Sequence, residues 1–171
     1  MPSGIIMNPK NSQNPETIRI RPADASHIGD MIRIAAETNL SHWSAQSYLE
    51  EMKNADAVLL RVVEADSSTL GFVVGRFVLG GDIETQTDAE IYNIAVTKAE
   101  QGKGRGQLLF DAFKSVCIER EAVNIWLEVR ESNNQAIRFY EGNGFEPVQT
   151  RRSFYENPRE HAILMRLNLK Y

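Results

Sequence analysis

The sequence predicts an α/β domain in which a mixed sheet is covered by helices. Three observations predict it. Strand-like and helix-like hydrophobic patterns follow one another in the order β-α-α-β-β-β-α-β-α-β-β. No internal repeat and no interdomain linker interrupts them. The 171 residues, 42% hydrophobic and 25% charged, suit a single core of ordinary globular composition. Residues 1–17, with Pro2, Pro9, Pro15 and several Asn and Ser, read as a mobile N-terminal tail, and residues 18–171 as the one domain.

Each element has a local cause. Ile18-Arg19-Ile20-Arg21 alternates as a short strand and Pro22 ends it. Asp24 is placed to cap a helix with Ile28, Met31, Ile32 and Ala35 on one face, and Ser44 to cap a shorter helix running through Met52. Strands over Val58–Glu64 and Leu70–Phe77 flank the polar turn Asp66-Ser67-Ser68-Thr69, a hairpin pattern. An acidic loop over Gly80–Ala89 precedes the strand Ile91–Val96. A helix from Gln107 to Arg120 carries Leu109, Ala112, Phe113 and Val116 on one face and packs on the sheet. In the strand Asn124–Val129, Trp126 and Glu128 share the face opposite Ile125, Leu127 and Val129. Asn133 starts a helix bearing Ala136, Ile137 and Tyr140 that ends at Gly142 and Gly144. Two strands close the chain, one from Phe145 and one over Ala162–Leu169.

Composition removes several function classes. A net charge of −4 argues against direct nucleic-acid binding. No apolar run approaches the ~20 residues of a membrane span. Gly4-Ile5-Ile6-Met7 is too short for a signal-peptide core, so a cytoplasmic protein is expected. Cys117, the one cysteine, sits in a helical pattern as a buried structural thiol. His27, His42 and His161 have no metal-ligand spacing with carboxylates, so no metal is expected. Asp82, Glu84 and Asp88 read as a solvated loop, or as an attractor for a basic N-terminus.

Between the strand Ile91–Val96 and the next helix lies Gln101-Gly102-Lys103-Gly104-Arg105-Gly106. Its three glycines let the backbone approach a ligand and converge N–H groups on one point. The helix that follows aims its positive end at the same point, which suits a phosphate or pyrophosphate. The phosphate-loop signature is absent. A dinucleotide fingerprint is opposed by the spacing 102, 104, 106 and by the position of Gly102, six residues after Val96 rather than at the strand's end. A plain surface loop would leave the two cations and the helix start as coincidence.

Gln101-x-x-Gly104-x-Gly106 resembles the pyrophosphate loop of the GNAT acetyltransferases. Asn133, Ala136-Ile137, Tyr140 and Gly144-Phe145 resemble that family's next motif. Asn93-Ile94-Ala95-Val96, Trp126-Leu127-Glu128-Val129-Arg130-x-Ser132-Asn133, Tyr140-Glu141-x-x-Gly144-Phe145 and Arg151-Arg152 are similar to the RimI-type N-terminal acetyltransferases. The likeness spans residues 18–169 and is densest from Glu90 onward. Gly102 departs from a commonly basic position, His161 follows Glu160 where Asp is usual, and Gly80–Ala89 carries no signature.

The resemblance implies a mostly antiparallel, twisted GNAT sheet of about seven strands, with acetyl-CoA as cosubstrate. It also implies transfer to the N-terminal amine of a protein, an alanine of a small-subunit ribosomal protein. Glu128 is then the general base, either directly or through a water, and Tyr140 the general acid toward the departing thiol. The acyl arm lies along Ile94, Ala95 and Val96. Gln101, Gly102, Lys103, Gly104, Arg105, Gly106 and Gln107 cradle the pyrophosphate, and Asn133 bonds the pantetheine arm or simply caps its helix. Trp43, Asn93 and Tyr155 are candidates for the acceptor groove. Glu128 has the alternative of an ordinary salt bridge with Arg130, and Tyr140 that of a core aromatic. A monomer or weak homodimer is expected. Two other functions stay open: acetylation of a small amine such as a polyamine or aminoglycoside, and non-catalytic acyl-CoA binding.

Overall fold

The computed structural model describes residues 18–40, 42–63, 68–80 and 86–170. The expected tail at 1–17, the tip of the 66–69 turn, and Asp82 and Glu84 lie outside them. The described residues form strands β1 (Arg19–Pro22), β2 (Ala57–Val63), β3 (Thr69–Leu79), β4 (Thr87–Val96), β5 (Asn124–Arg130), β6 (Glu146–Glu156) and β7 (Arg159–Asn168). They also form helices α1 (Ile28–Glu37), α2 (Ala45–Met52), α3 (Arg105–Glu119) and α4 (Asn134–Gly142). The predicted element order is borne out. The seven strands make one sheet in the order β1-β2-β3-β4-β5-β7-β6, antiparallel at every neighbour except the parallel pair β4–β5.

The caps act where the sequence put them. Asp24 accepts the N–H of Ser26 at 2.9 Å and starts a short 3₁₀ turn, Ala25–His27, that runs into α1. Ser44 Oγ accepts the N–H of Ser47 at 3.1 Å to start α2. On α1 Met31 and Ile34 are fully buried, while the predicted Ile32 is only partly covered. Helix α3 begins at Arg105, two residues early, so the second half of the glycine loop is already its first turn.

The sheet divides the core. Under α3 and α4, Leu109, Phe110, Phe113 and Cys117 pack with Val73, Ile91, Ile125, Leu127 and Tyr140. Under α1 and α2, Met31, Ile34 and Tyr48 pack with Phe72, Val74 and Ala95. Each fully buried large apolar side chain stabilises the fold by roughly 1.5–3 kcal/mol relative to exposure.

One expectation fails clearly. The acidic segment is not loop to its end: β4 starts at Thr87, and Asp88 is 4% exposed. Asp88 accepts hydrogen bonds from Trp126 Nε1 at 2.8 Å and from Asn124 N and Nδ2, each at 3.1 Å. A carboxylate is retained inside because neutral donors on the neighbouring strand replace its water. The alternation of Asp88, Glu90 and Tyr92 looks polar in sequence, yet it is one face of a strand.

Candidate active site

The site arises where two parallel strands part. β4 and β5 pair only over Ala89↔Ile125, Glu90↔Trp126 and Ile91↔Leu127. Opposite β3 the register steps from Val74↔Asn93 to Gly75↔Ile91, so Tyr92 is the extra residue of a bulge. A bulge bends its strand. Past it β4 continues to Val96 with β3 as its partner, and the backbone edge toward β5 is left open. Glu128, Val129 and Arg130 of β5 are paired with β7 alone.

Beyond the open edge lies a cavity of about 920 Å³. It is walled by Ile94, Ala95 and Val96, by Gln101, Gly102, Gly104, Arg105, Gly106 and Gln107, by Asn133 and Tyr140, and by the end of α1. Gly102 and Gly104 have φ of +73° and +78°, left-handed values that favour glycine. Gly104 is the N-cap of α3 and no side chain caps that helix start. Its first N–H groups therefore face the loop without a side-chain acceptor.

Several predicted side chains have other local partners. Gln101 Nε2 donates to Val96 O at 3.0 Å and folds the loop back on the end of β4. Lys103, the one predicted cofactor residue outside this wall, places Nζ 2.7 Å from Glu100 Oε1, and Arg105 Nε lies 3.2 Å from Glu100 Oε2. Part of the loop's positive charge is thus already matched. Gln107 exchanges two hydrogen bonds with Asn143, at 2.7 and 3.1 Å, which joins α3 to the end of α4. Asn133 caps α4 by accepting the N–H of Ala136 at 3.1 Å.

On the α2 side of the sheet a second cavity, of about 600 Å³, is walled by Trp43, Asp88, Glu90, Tyr92, Trp126, Glu128, Arg151, Phe154 and Tyr155, among others. Trp43 and Tyr155 share this cavity with Glu128. Asn93 does not: it is 3% exposed, belongs to neither wall, and its Nδ2 has no hydrogen-bond partner among the described residues.

Glu128 and Tyr140 open on different cavities, Glu128 on the smaller and Tyr140 on the larger. The Tyr155 hydroxyl donates to Glu128 O at 3.5 Å and interacts electrostatically with Glu128 and Tyr140 alike. Glu128 pairs with Arg151 at 2.5 Å, not with Arg130. Arg130 instead reaches Glu160 at 3.3 Å and stacks 4.0 Å from the Tyr155 ring centre. Burial raises Glu128 above the usual carboxylate range, Arg151 opposes that, and Glu90 adds to it. Burial also pushes the Tyr140 phenol well above its ordinary value.

Sequence reading missed Glu90 and Glu100 and gave Arg151 no role. Glu90 was legible in principle: once β4 begins at Thr87, pairing with Trp126 puts it on the Glu128 face. Glu100 and Arg151 are brought in by a loop and a distant strand, which no local pattern marks.

A family model described as the acetyltransferase (GNAT) family matches residues 28–145. The chain is 30% identical over 149 residues to a [ribosomal protein bS18]-alanine N-acetyltransferase of Haemophilus influenzae, covering 85% of this chain and 95% of that one. It is 32% identical over 127 residues to the protein of the same name from Salmonella typhimurium, covering 73% and 80%. Among solved structures, the ribosomal-protein-S18-alanine N-acetyltransferase of Escherichia coli superposes with a TM-score of 0.78 at 25% identity, over 91% of this chain and 96% of that one. Arabidopsis thaliana NAA60 in complex with acetyl-CoA shares the fold, with a TM-score of 0.81 at 20% identity over 90% and 99%.

Proposed function

The chain belongs to the acetyltransferase (GNAT) family and is an N-acetyltransferase, and from that premise we propose that it acetylates the N-terminal α-amine of a protein, an alanine of a small-subunit ribosomal protein, in the cytoplasm. The acceptor rests on the relatives named for that reaction. None of the described helices is long and apolar enough to cross a membrane.

The observation that carries the mechanism is the parting of β4 and β5. It leaves the open edge of Ile94–Val96 beside the glycine loop on one side and the Glu128 cavity on the other. The larger cavity fits acetyl-CoA. An open strand edge suits an amide-bearing arm. The left-handed glycines and the start of α3, without a side-chain cap, suit a pyrophosphate. Gly102 to Gln107 would hold the phosphates and Ile94–Val96 the arm. When bound, the thioester supplies an activated acetyl group.

An α-amine has a pKa of about 7.7–8.0, so near pH 7 most of it must lose a proton before it can attack. Glu128 takes that proton. Burial lifts the carboxylate toward the working range, where a base combines ionisation with useful basicity. Tyr140, raised by burial, stays protonated and donates a hydrogen bond toward the departing sulfur as negative charge grows there. The proton shed by the attacking nitrogen as the tetrahedral intermediate collapses ends on the thiolate, so the products are the amide and the neutral thiol, with the first proton left on Glu128. Cys117 is buried, its thiol pushed up to about 12, and offers no nucleophile for a covalent acetyl-enzyme. The buried thiol supports direct transfer with both substrates bound.

The test is thiol release from acetyl-CoA with a peptide beginning Ala-Arg and with a panel of polyamines and aminoglycosides. The expected result is peptide turnover that drops about 10²–10³-fold in Glu128→Gln and clearly in Tyr140→Phe. Turnover confined to the small amines, or acetyl-CoA binding with no transfer to any acceptor, overturns the proposal.

A further inference from the structure

Glu128 does not stand alone in its cavity. Glu90, on β4, is paired in register with Trp126, and paired residues of parallel strands share a face. Glu90, Trp126 and Glu128 therefore project on the same side, with the two carboxylates as diagonal neighbours. From the opposite wall β6 brings Arg151, whose Nη1 lies 2.5 Å from Glu128 Oε1.

Arg151 is held by more than that contact. Between Arg151↔Ala162 and Tyr155↔Glu160, strand β6 carries a bulge in which three residues face His161 alone. Ser153 within it has φ +51°, a left-handed value unusual for a residue with a side chain. The N–H of Ser153 donates to His161 Nδ1 at 3.0 Å, which fixes the bulge from β7. Phe154, 44% exposed, lies 5.7 Å from the Arg151 guanidinium carbon and backs it with an aromatic face. An exposed phenylalanine and a strained serine thus both serve the placement of one cation.

We propose that Arg151 and Glu90 are an opposed pair of positioning residues acting on Glu128: Arg151 holds the carboxylate ionised and oriented, Glu90 pushes it toward protonation, and their balance sets the acid limit of acetyl transfer. The inference rests on the reading of Glu128 as the base. Glu128 is faced by Glu90, Asp88 and Tyr92 from β4, and by Arg151 and Tyr155 from β6. From β7 it is met by the apolar Leu164, while Arg166 of that strand lies over Trp126. Glu90 itself is faced by its register partner Arg76 on β3 and by Tyr92 on its own strand. The Asp88 carboxylate is taken up by Asn124 and Trp126. Of these charged groups, Glu90 and Arg151 are the two that act on the Glu128 carboxylate with opposite sign.

Direction follows from charge. Without the guanidinium, two carboxylates in a half-buried cleft repel, and Glu128 protonates at higher pH. Without Glu90 the reverse holds. The side chain of Arg151 is 47% exposed, so water screens part of the effect and a shift of about one pH unit is the expected scale.

The experiment is the pH profile of kcat/KM for wild type, Arg151→Ala, Arg151→Lys, Glu90→Gln and the double variant Arg151→Ala/Glu90→Gln, each scaled to its own plateau. Carbon-13 detected titration of the Glu128 carboxyl, assigned through Glu128→Gln, accompanies it. Expected are an acid limb moved up by about one unit in Arg151→Ala, moved down in Glu90→Gln, kept in Arg151→Lys, and returned near wild type in the double variant. The carboxyl titration should move in step. If the carboxyl titration moves but the acid limb does not, Glu128 is not the base and the functional reading fails while the coupling stands. If neither single variant moves the carboxyl titration, the opposed pair is overturned whatever happens to the rate.

Discussion

The indole Nε1 of Trp126 lies 2.8 Å from Oδ2 of Asp88 and donates to it at the start of the short parallel ladder, beyond whose far end β4 and β5 part. The same carboxylate takes the backbone N–H of Asn124 and, at 3.2 Å, Gln86 Nε2. One buried anion therefore anchors the hinge of the V from which both cavities open.

Removing that anion should cost stability before it costs chemistry. Asp88→Ala leaves Trp126 Nε1 and Asn124 Nδ2 as buried donors without an acceptor, and each such group costs about 1–3 kcal/mol. The expected loss is about 3 kcal/mol, read as a lowered urea midpoint. Trp126→Phe should cost less, and the double variant less than the sum, because the two share one interaction.

Two glycine substitutions should have opposite signs. A Cβ on Gly75 would sit 2.5 Å from Glu90 O and 2.5 Å from ring atoms of the fully buried Phe113. Gly75→Ala must shift backbone or core, and about 3 kcal/mol of destabilisation is expected. A Cβ on Gly29, at an exposed position of α1, meets nothing within 4 Å at an ordinary helical φ. Gly29→Ala should stabilise by about 0.5–1 kcal/mol through a less flexible unfolded chain. Thermal melts of the two variants check both signs.

These contrasts also show which features were legible. Strand and helix order follows from hydrophobic period, and the caps Asp24, Ser44 and Asn133 from residue type, because both causes are local. The glycine loop was readable since positive φ leaves a mark in composition. What escaped depends on long-range pairing. Asp88 reads as solvated until Asn124 and Trp126, 36 and 38 residues on, supply its donors. Asn93 reads as a groove residue, yet it lies buried next to the Tyr92 bulge. Arg130 looks like the partner of Glu128 at a spacing of two, yet alternation only sends residues two apart to the same face, without fixing which charge β6 will bring. The bulge at Ser153 decides that in favour of Arg151.

Acid should loosen the join between α1 and the base of the glycine loop. Glu37, at the end of α1, accepts the N–H of Lys98 at 2.7 Å and the Thr97 hydroxyl at 2.9 and 3.0 Å. The Lys98 N–H and then the Thr97 hydroxyl hold its carboxyl below the usual range. A depressed carboxyl contributes stability that is present above its unfolded value of about 4.5 and lost as pH falls through the folded value. Glu37→Gln should therefore be less stable than wild type at pH 7, and the gap should narrow below pH ~4. Urea midpoints across that range test it; a gap constant with pH would refute a charge-based join.

Glu100 should restrain acetyl-CoA binding through the charge it neutralises. Its two oxygens hold Lys103 and Arg105, the cations of the loop, and these contacts keep Glu100 itself below the usual carboxylate range. Arg105 lines the larger cavity while Lys103 does not, so the clamp draws one cation away from the wall and spends part of the other. Glu100→Gln removes the negative charge and keeps an acceptor and a donor for the loop. Both cations then face a pyrophosphate more fully, and the dissociation constant for acetyl-CoA should fall about threefold at low salt, the scale of one partly screened charge. The gain should shrink as salt is raised. Calorimetric titrations at two ionic strengths measure both effects. A weaker Kd in Glu100→Gln would mean that the clamp's ordering of the loop outweighs the charge it cancels.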